Sequence, residues 1–172
     1  MILFNKIFLN KLISLIPIII LFYLSFNNIS LTIPKYNFSS SNNIIVHVLI
    51  FYWVIRRPAI LPYGFIFLAG FINDVVAGLP IGISSVTYLI LAGFAAYIRN
   101  LTVHPSLLSD WMTFLPSILI TNSIYFIVMK VIFDIEINYL NIVLNTFFTL
   151  CLYPLIGGLF NIILKIISRR NV

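Results

Sequence analysis

Charged side chains are scarce in this sequence, and acids are the scarcest of all. Four Asp or Glu stand against ten Lys or Arg, so only 8% of the chain is charged while 62% is hydrophobic, with a mean hydropathy of +1.13. An ordinary soluble domain is roughly half apolar and about a quarter charged, so that class is excluded. The single cysteine, Cys151, rules out an intrachain disulfide; lying in an apolar run, it is expected to be a small buried hydrophobe. Catalytic signatures are missing as well. There is no Gly-x-Ser-x-Gly elbow, no His-x-x-x-His, and no Gly-x-x-x-x-Gly-Lys loop. His47 and His104 are far apart, with no carboxylate or cysteine at metal-ligand spacing. Neither a catalytic group nor a cofactor or metal site is therefore expected, and the protein is read as a non-enzyme. The excess of basic residues is scattered over segment ends rather than gathered on one polar face, which argues against nucleic acid as a partner.

What the chain does have is long uncharged apolar sequence. Its charges delimit six intervals: Leu12–Pro34, Tyr36–Ile55, Pro58–Asn73, Val75–Ile98, Trp111–Met129 and Ile137–Leu164. A helix needs about 20 residues to cross the hydrocarbon of a bilayer. The first, fourth, fifth and sixth intervals meet that length. The second is interrupted by Ser39-Ser40-Ser41-Asn42-Asn43, leaving Ile44–Ile55; it is short, or extends into the interface, or is shielded by other helices. The third reaches a workable length only by including Asp74. The expected fold is an all-α, polytopic bundle of about six transmembrane helices forming one membrane domain over residues 1–172.

Charge placement orients such a bundle. Six spans put Lys6, Lys11, Arg56, Arg57, Arg99, Lys165, Arg169 and Arg170 on one side, and Lys35 and Lys130 on the other. Basic residues favour the cytoplasm, so both termini are expected to be cytoplasmic, with Asp74, Asp134 and Glu136 outside and Asp110 inside. The basic-then-apolar N-terminus resembles a secretory signal, but Ser39-x-Ser41, the nearest cleavage candidate, lies well past the apolar run. The first segment is therefore read as a retained anchor. Pro17, Pro116 and Pro154, with Gly157-Gly158, are expected to kink the first, fifth and sixth helices.

The most informative stretch is Gly70-Phe71-Ile72-Asn73-Asp74-Val75-Val76-Ala77-Gly78-Leu79-Pro80-Ile81-Gly82. From Arg57 to Asp74 is about 25 Å of helix, nearly the hydrocarbon thickness, which sets the acid at the outer interface. Tyr63, Phe67, Gly70 and Asp74 share one helical face, and Gly70 permits close approach of another backbone. Asp74 either hydrogen-bonds to a neighbouring helix or partner and locks the corner, or caps NH groups of the following turn. Gly78-Leu79-Pro80-Ile81-Gly82 is turn chemistry. Downstream, Ser85, Ala92 and Ala96 form a small-residue stripe for close helix contact, either within the protein or with a partner. Upstream, Tyr52-Trp53 before Arg56-Arg57 is an interfacial anchor.

Tyr52, Trp53, Pro58, Gly64, Gly70, Asp74, Gly78, Pro80, Gly82 and Tyr88 together resemble MreD, the small integral membrane protein of the bacterial cell-elongation machinery. The resemblance covers roughly a third of the chain by motif and most of it by hydropathy layout. It implies a plasma-membrane scaffold of peptidoglycan synthesis. The implied partners are an MreC-like protein, RodA, a class B penicillin-binding transpeptidase, membrane lipid and, indirectly, the MreB cytoskeleton. The family is similar in layout to the substrate-binding subunits of energy-coupling-factor vitamin transporters, which gives a second functional reading. Those subunits commonly present an Ala-x-x-x-Ala surface on their first helix, and here no alanine precedes Ala59.

Overall fold

The computed structural model describes residues 15–27, 31–33, 38–40, 43–102, 106–134 and 139–170. Six helices run through them: α1 (Ile16–Phe26), α2 (Asn43–Arg56), α3 (Tyr63–Ala77), α4 (Ile83–Leu101), α5 (Leu107–Val131) and α6 (Tyr139–Arg170). The one non-helical element is a hairpin in which β1 (Leu31–Ile33) pairs antiparallel with β2 (Phe38–Ser40), Leu31 opposite Ser40. Both chain ends, Lys6, Lys11, Lys35, His104 and Glu136 lie outside the described residues, as do the side chains of Arg169 and Arg170.

The described residues are thus all-α apart from the hairpin, whose β1 occupies the end of the first charge-free interval and whose β2 lies in the second, ahead of α2. Among the described residues two helices, Leu107–Val131 and the Ile142–Lys165 part of α6, are long and apolar enough to cross a membrane. Pro17 falls in the first turn of α1, where its missing NH costs nothing and its fixed φ suits the helix. It starts that helix rather than kinking it.

The shortest of the doubtful segments is the centre of the molecule. Every residue from Val46 to Ile55 in α2 is buried, and α2 touches α1, α4, α5 and α6. A helix that is apolar all round has no solvent face to present and is stable only when surrounded. Its 14 residues rise about 21 Å, so the segment is both short and shielded by the helices around it. Phe51 stacks edge-on to Phe114 of α5 at 4.9 Å, and Phe114 lies flat against Tyr153 of α6 at 4.7 Å. These rings tie the central helix to the two long ones.

The periphery is arranged the opposite way. On α3, Ile66, Ala69, Gly70, Asn73 and Asp74 are buried, while Phe65, Phe67, Leu68, Phe71, Val75 and Val76 are exposed. The face expected to run from Tyr63 to Asp74 is covered only at its Gly70–Asp74 end. Tyr63 and Phe67 remain open. Cys151 of α6, expected to be buried, is exposed. Around the apolar core, Ser84, Ser85, Ser117 and Thr121 are buried while Phe67, Val75, Leu119 and Leu155 are exposed. Burying polar groups while exposing large apolar ones inverts the pattern of water-soluble proteins.

Hydroxyls on α5 bond within their own helix. Thr113, Ser117 and Thr121 on α5 each donate to the carbonyl four residues earlier, at 2.8–3.0 Å. The proline inside α6 has a specific remedy. Pro154 has no NH for the carbonyl of Leu150, and Trp111 Nε1 of α5 donates to that oxygen at 2.9 Å. Trp111→Phe keeps the ring and orphans the carbonyl. It should cost about 1–3 kcal/mol, read as a lower midpoint of thermal unfolding in detergent; an unchanged midpoint would show that another donor replaces the indole.

Candidate functional site

The residues singled out around Asp74 meet at the corner between α3 and α4. Gly78 closes α3 in the left-handed conformation, φ 65°, and Gly82 opens α4 at φ 100°. Both values favour glycine. The Asp74 carbonyl accepts from the NH groups of Gly78 and Leu79. Its carboxylate, completely buried, accepts from Gly82 N at 2.8 Å and from Ser84 N at 3.0 and 3.2 Å. One residue therefore ends one helix with its backbone and begins the next with its side chain. The first NH groups of a helix have no partner of their own, and a carboxylate there also meets the positive end of the helix dipole. Asn73 Nδ2 donates to Ser84 Oγ at 3.0 Å beside it.

Below this corner the two backbones nearly touch. A Cβ on Gly70 would lie 2.5 Å from Ser85 Cα and 2.6 Å from Ser85 N. Ser85 Oγ then donates to the carbonyl of Phe67 at 3.0 Å. The small-residue stripe continues along α4 with Ala92 fully buried and Ala96 partly buried against the core. Ser85 and Ala92 are thus consumed inside the bundle and are not a surface for a partner. Tyr88, also buried, stands edge-on to His47 of α2 at 5.5 Å between ring centres. Tyr88 and Tyr125 of α5 lie within electrostatic reach of the Asp74 carboxylate. No ionisable group accompanies Asp74 along the chain; the fold brings these two phenols to its side of the bundle.

Asp74→Ala leaves the Gly82 and Ser84 NH groups without an acceptor, at about 1–3 kcal/mol each. Insertion should survive, with a clearly lowered unfolding midpoint in detergent. Asp74→Asn retains one acceptor oxygen and should lose less. Equal midpoints for wild type and Asp74→Ala would mean that the carboxylate is not the cap.

A second polar centre, which the sequence did not reveal, lies between α2 and α5. Arg56 Nη2 and Nε reach Asp110 Oδ2 at 2.7 and 2.9 Å, with side chains 16% and 3% exposed. Asp110 lies in the first turn of α5, capped by Ser106, whose Oγ accepts from Ser109 N at 3.1 Å. Arg99 Nη1 donates to the Val54 carbonyl at 3.3 Å, satisfying the C-terminal end of α2. The pairing partners are distant in sequence. The available signal was that Asp110 is the lone acid on the basic side.

Tyr52 and Trp53 belong to this second centre, and their assignment as an interfacial anchor is corrected. They are 0% and 1% exposed, and both pack on Phe160 of α6. Because α2 is enclosed, its aromatic end faces helices rather than headgroups. The Tyr52 hydroxyl and Trp53 Nε1 have no hydrogen-bond partner among the described residues. Pro58 and Gly64 lie on the surface, and a Cβ on Gly64 would meet nothing within 4 Å. The residues singled out in sequence therefore divide three ways. Gly70, Asp74, Gly78, Pro80 and Gly82 form one corner, with Tyr88, Ala92 and Ala96 continuing along α4. Tyr52 and Trp53 pack near the ion pair. Pro58 and Gly64 join neither group. No family model, no curated protein and no solved structure matches this chain.

Proposed function

We propose that the chain is a polytopic bundle of six membrane helices in the bacterial plasma membrane, with both termini cytoplasmic. It acts without catalysis as an assembly subunit of the cell-elongation, or rod-shape, complex. The observation that carries the membrane part of this reading is the inverted surface. Asp74, Asp110, Asn73 and Ser85 are buried and engaged, while Phe67, Phe71, Ile127, Val131, Leu155 and Leu159 are exposed. Lipid solvates such a surface and water does not. Support for a scaffold comes from how the polar residues are used. Both oxygens of Asp74 and the paired oxygen of Asp110 receive donors of the same chain, which gives rigidity rather than a reacting group.

The resemblance to MreD supplies the complex. An MreC-like protein is the expected direct partner, with RodA and a class B penicillin-binding transpeptidase beyond it and the MreB cytoskeleton reached indirectly. In lipid, contacts with such partners come from helix packing and interhelical polar bonds. The test is affinity purification of the tagged full chain from its own membranes, combined with reporters on both tails. Recovery of an MreC-like protein, with both tails cytoplasmic, is expected. Recovery of a tightly bound vitamin and a transporter ATPase instead would establish the transport reading. A tail reporter active only outside the plasma membrane would overturn the orientation.

A further inference from the structure

We infer that the groove between α5 and α6 seats one acyl chain of a phospholipid whose phosphate is held by Lys130. This rests on the membrane embedding proposed above and not on membership of an elongation complex. The groove holds about 360 Å³ and is walled by Leu119, Asn122 and Phe126 of α5 with Val143, Thr146 and Phe147 of α6. Its polar groups are bonded across or along the wall. Asn122 Nδ2 donates to Thr146 Oγ1 at 2.7 Å, Thr146 Oγ1 to the Ile142 carbonyl at 2.8 Å, and Ser123 Oγ to the Leu119 carbonyl at 2.8 Å. What is left is mainly apolar surface, suited to hydrocarbon and unsuited to a polar metabolite.

Charge and dimensions identify the rest of the occupant. Lys130 Nζ stands 5.9 Å from the centre of the Phe126 ring, at one end of the groove. Among the described residues Lys130 has no ion-pair partner. From Lys130 to Leu119 is about 16 Å along α5, close to one leaflet of a hydrocarbon core about 30 Å thick. An ammonium at headgroup depth above a groove one leaflet long complements a single lipid molecule: phosphate above, chain below. Asp134 lies past the end of α5 and is exposed. The other described acid on this side, Asp74, is buried and engaged by the NH groups of Gly82 and Ser84, leaving Lys130 as the anion-binding group.

The test reconstitutes the full chain in vesicles of phosphatidylglycerol and phosphatidylcholine, floats them on a density gradient, and then extracts the protein into a sugar detergent. Retained phospholipid is counted per protein by native mass spectrometry. Wild type should keep phospholipid, with phosphatidylglycerol enriched. Lys130→Gln should weaken retention about fivefold, as one lysine near an anionic surface contributes. Val143→Trp, which fills the groove, should abolish it, and Leu155→Trp, at an exposed α6 position outside the groove, should retain the wild-type amount. Should Val143→Trp fail to fold, the exposed Lys130→Gln decides alone. A wild-type chain that does not float overturns the membrane embedding. Flotation with equal lipid retention in wild type and Lys130→Gln overturns this site alone, as does a partner helix cross-linked in the groove with no lipid retained.

Discussion

Replacing Gly70 by leucine should abolish recovery of folded protein, and Gly70→Ala alone should lower the unfolding midpoint sharply. The reason is the nature of the obstacle. The first side-chain atom added would lie 2.5 Å from Ser85 Cα, 2.6 Å from Ser85 N and 2.9 Å from the Ser84 carbonyl carbon. These are backbone atoms of α4, which cannot swing aside as a flexible side chain can. The helices must separate, and three interactions depend on their spacing: Asn73 with Ser84 Oγ, Asp74 with Ser84 N, and Ser85 Oγ with the Phe67 carbonyl. Overpacking costs about 1–3 kcal/mol and each lost hydrogen bond about 1 kcal/mol more. With all three lost, the alanine variant should therefore lose about 4–6 kcal/mol. Gly64→Ala, on the same helix with nothing nearby, should change stability by no more than about 0.5 kcal/mol. Thermal unfolding of the two variants in one detergent makes the comparison. If Gly70→Ala unfolds with Gly64→Ala, the close contact does not exist.

That corner was legible because its chemistry is local. Glycine at a positive φ, proline in a turn, and an acid within reach of the next helix start all lie within thirteen consecutive residues, Gly70 to Gly82. Both sequence alternatives for Asp74 turn out to describe one geometry, since capping α4 is what locks it to α3. Burial of the acid was not legible. Counting residues from Arg57 gives its height along a helix but not what surrounds it.

The opposite end was misread for the same physical reason. Tyr52-Trp53 before two arginines has the composition of an interfacial belt, but composition cannot tell a helix at the rim from one at the centre. The clue was length: Ile44–Ile55 is too short to span alone and has no polar face, so it had to be wrapped. Once wrapped, its aromatics pack on Phe160 and its arginine meets Asp110. The prolines divide similarly. Pro17 belongs to a helix start and Pro154 is compensated by Trp111, a long-range contact that no local pattern announces.

Arg56 was read as an orienting charge, and its contact with Asp110 gives it a second, separable role. Arg56→Ala should cost about 3–5 kcal/mol because it strands a buried carboxylate, and Asp110→Ala should cost a similar amount by stranding the guanidinium. An orienting charge alone would make Asp110→Ala harmless, since loss of an acid only increases the positive bias of that side. Replacing both, as Arg56→Met with Asp110→Leu, removes the desolvation cost together with the attraction and should be less damaging than either single change. Arg56→Lys keeps the charge but lacks the planar fork, and Nε with Nη2 both contact Asp110; it should fall between wild type and Arg56→Ala. Unfolding midpoints of the four variants, with a tail reporter to score orientation, separate the two roles. Additive losses in the double variant would mean that the two side chains act independently. A deep coupling with unchanged orientation would assign Arg56 to the packing of α2 against α5, leaving Arg57, Arg99 and Lys165 to orient the chain.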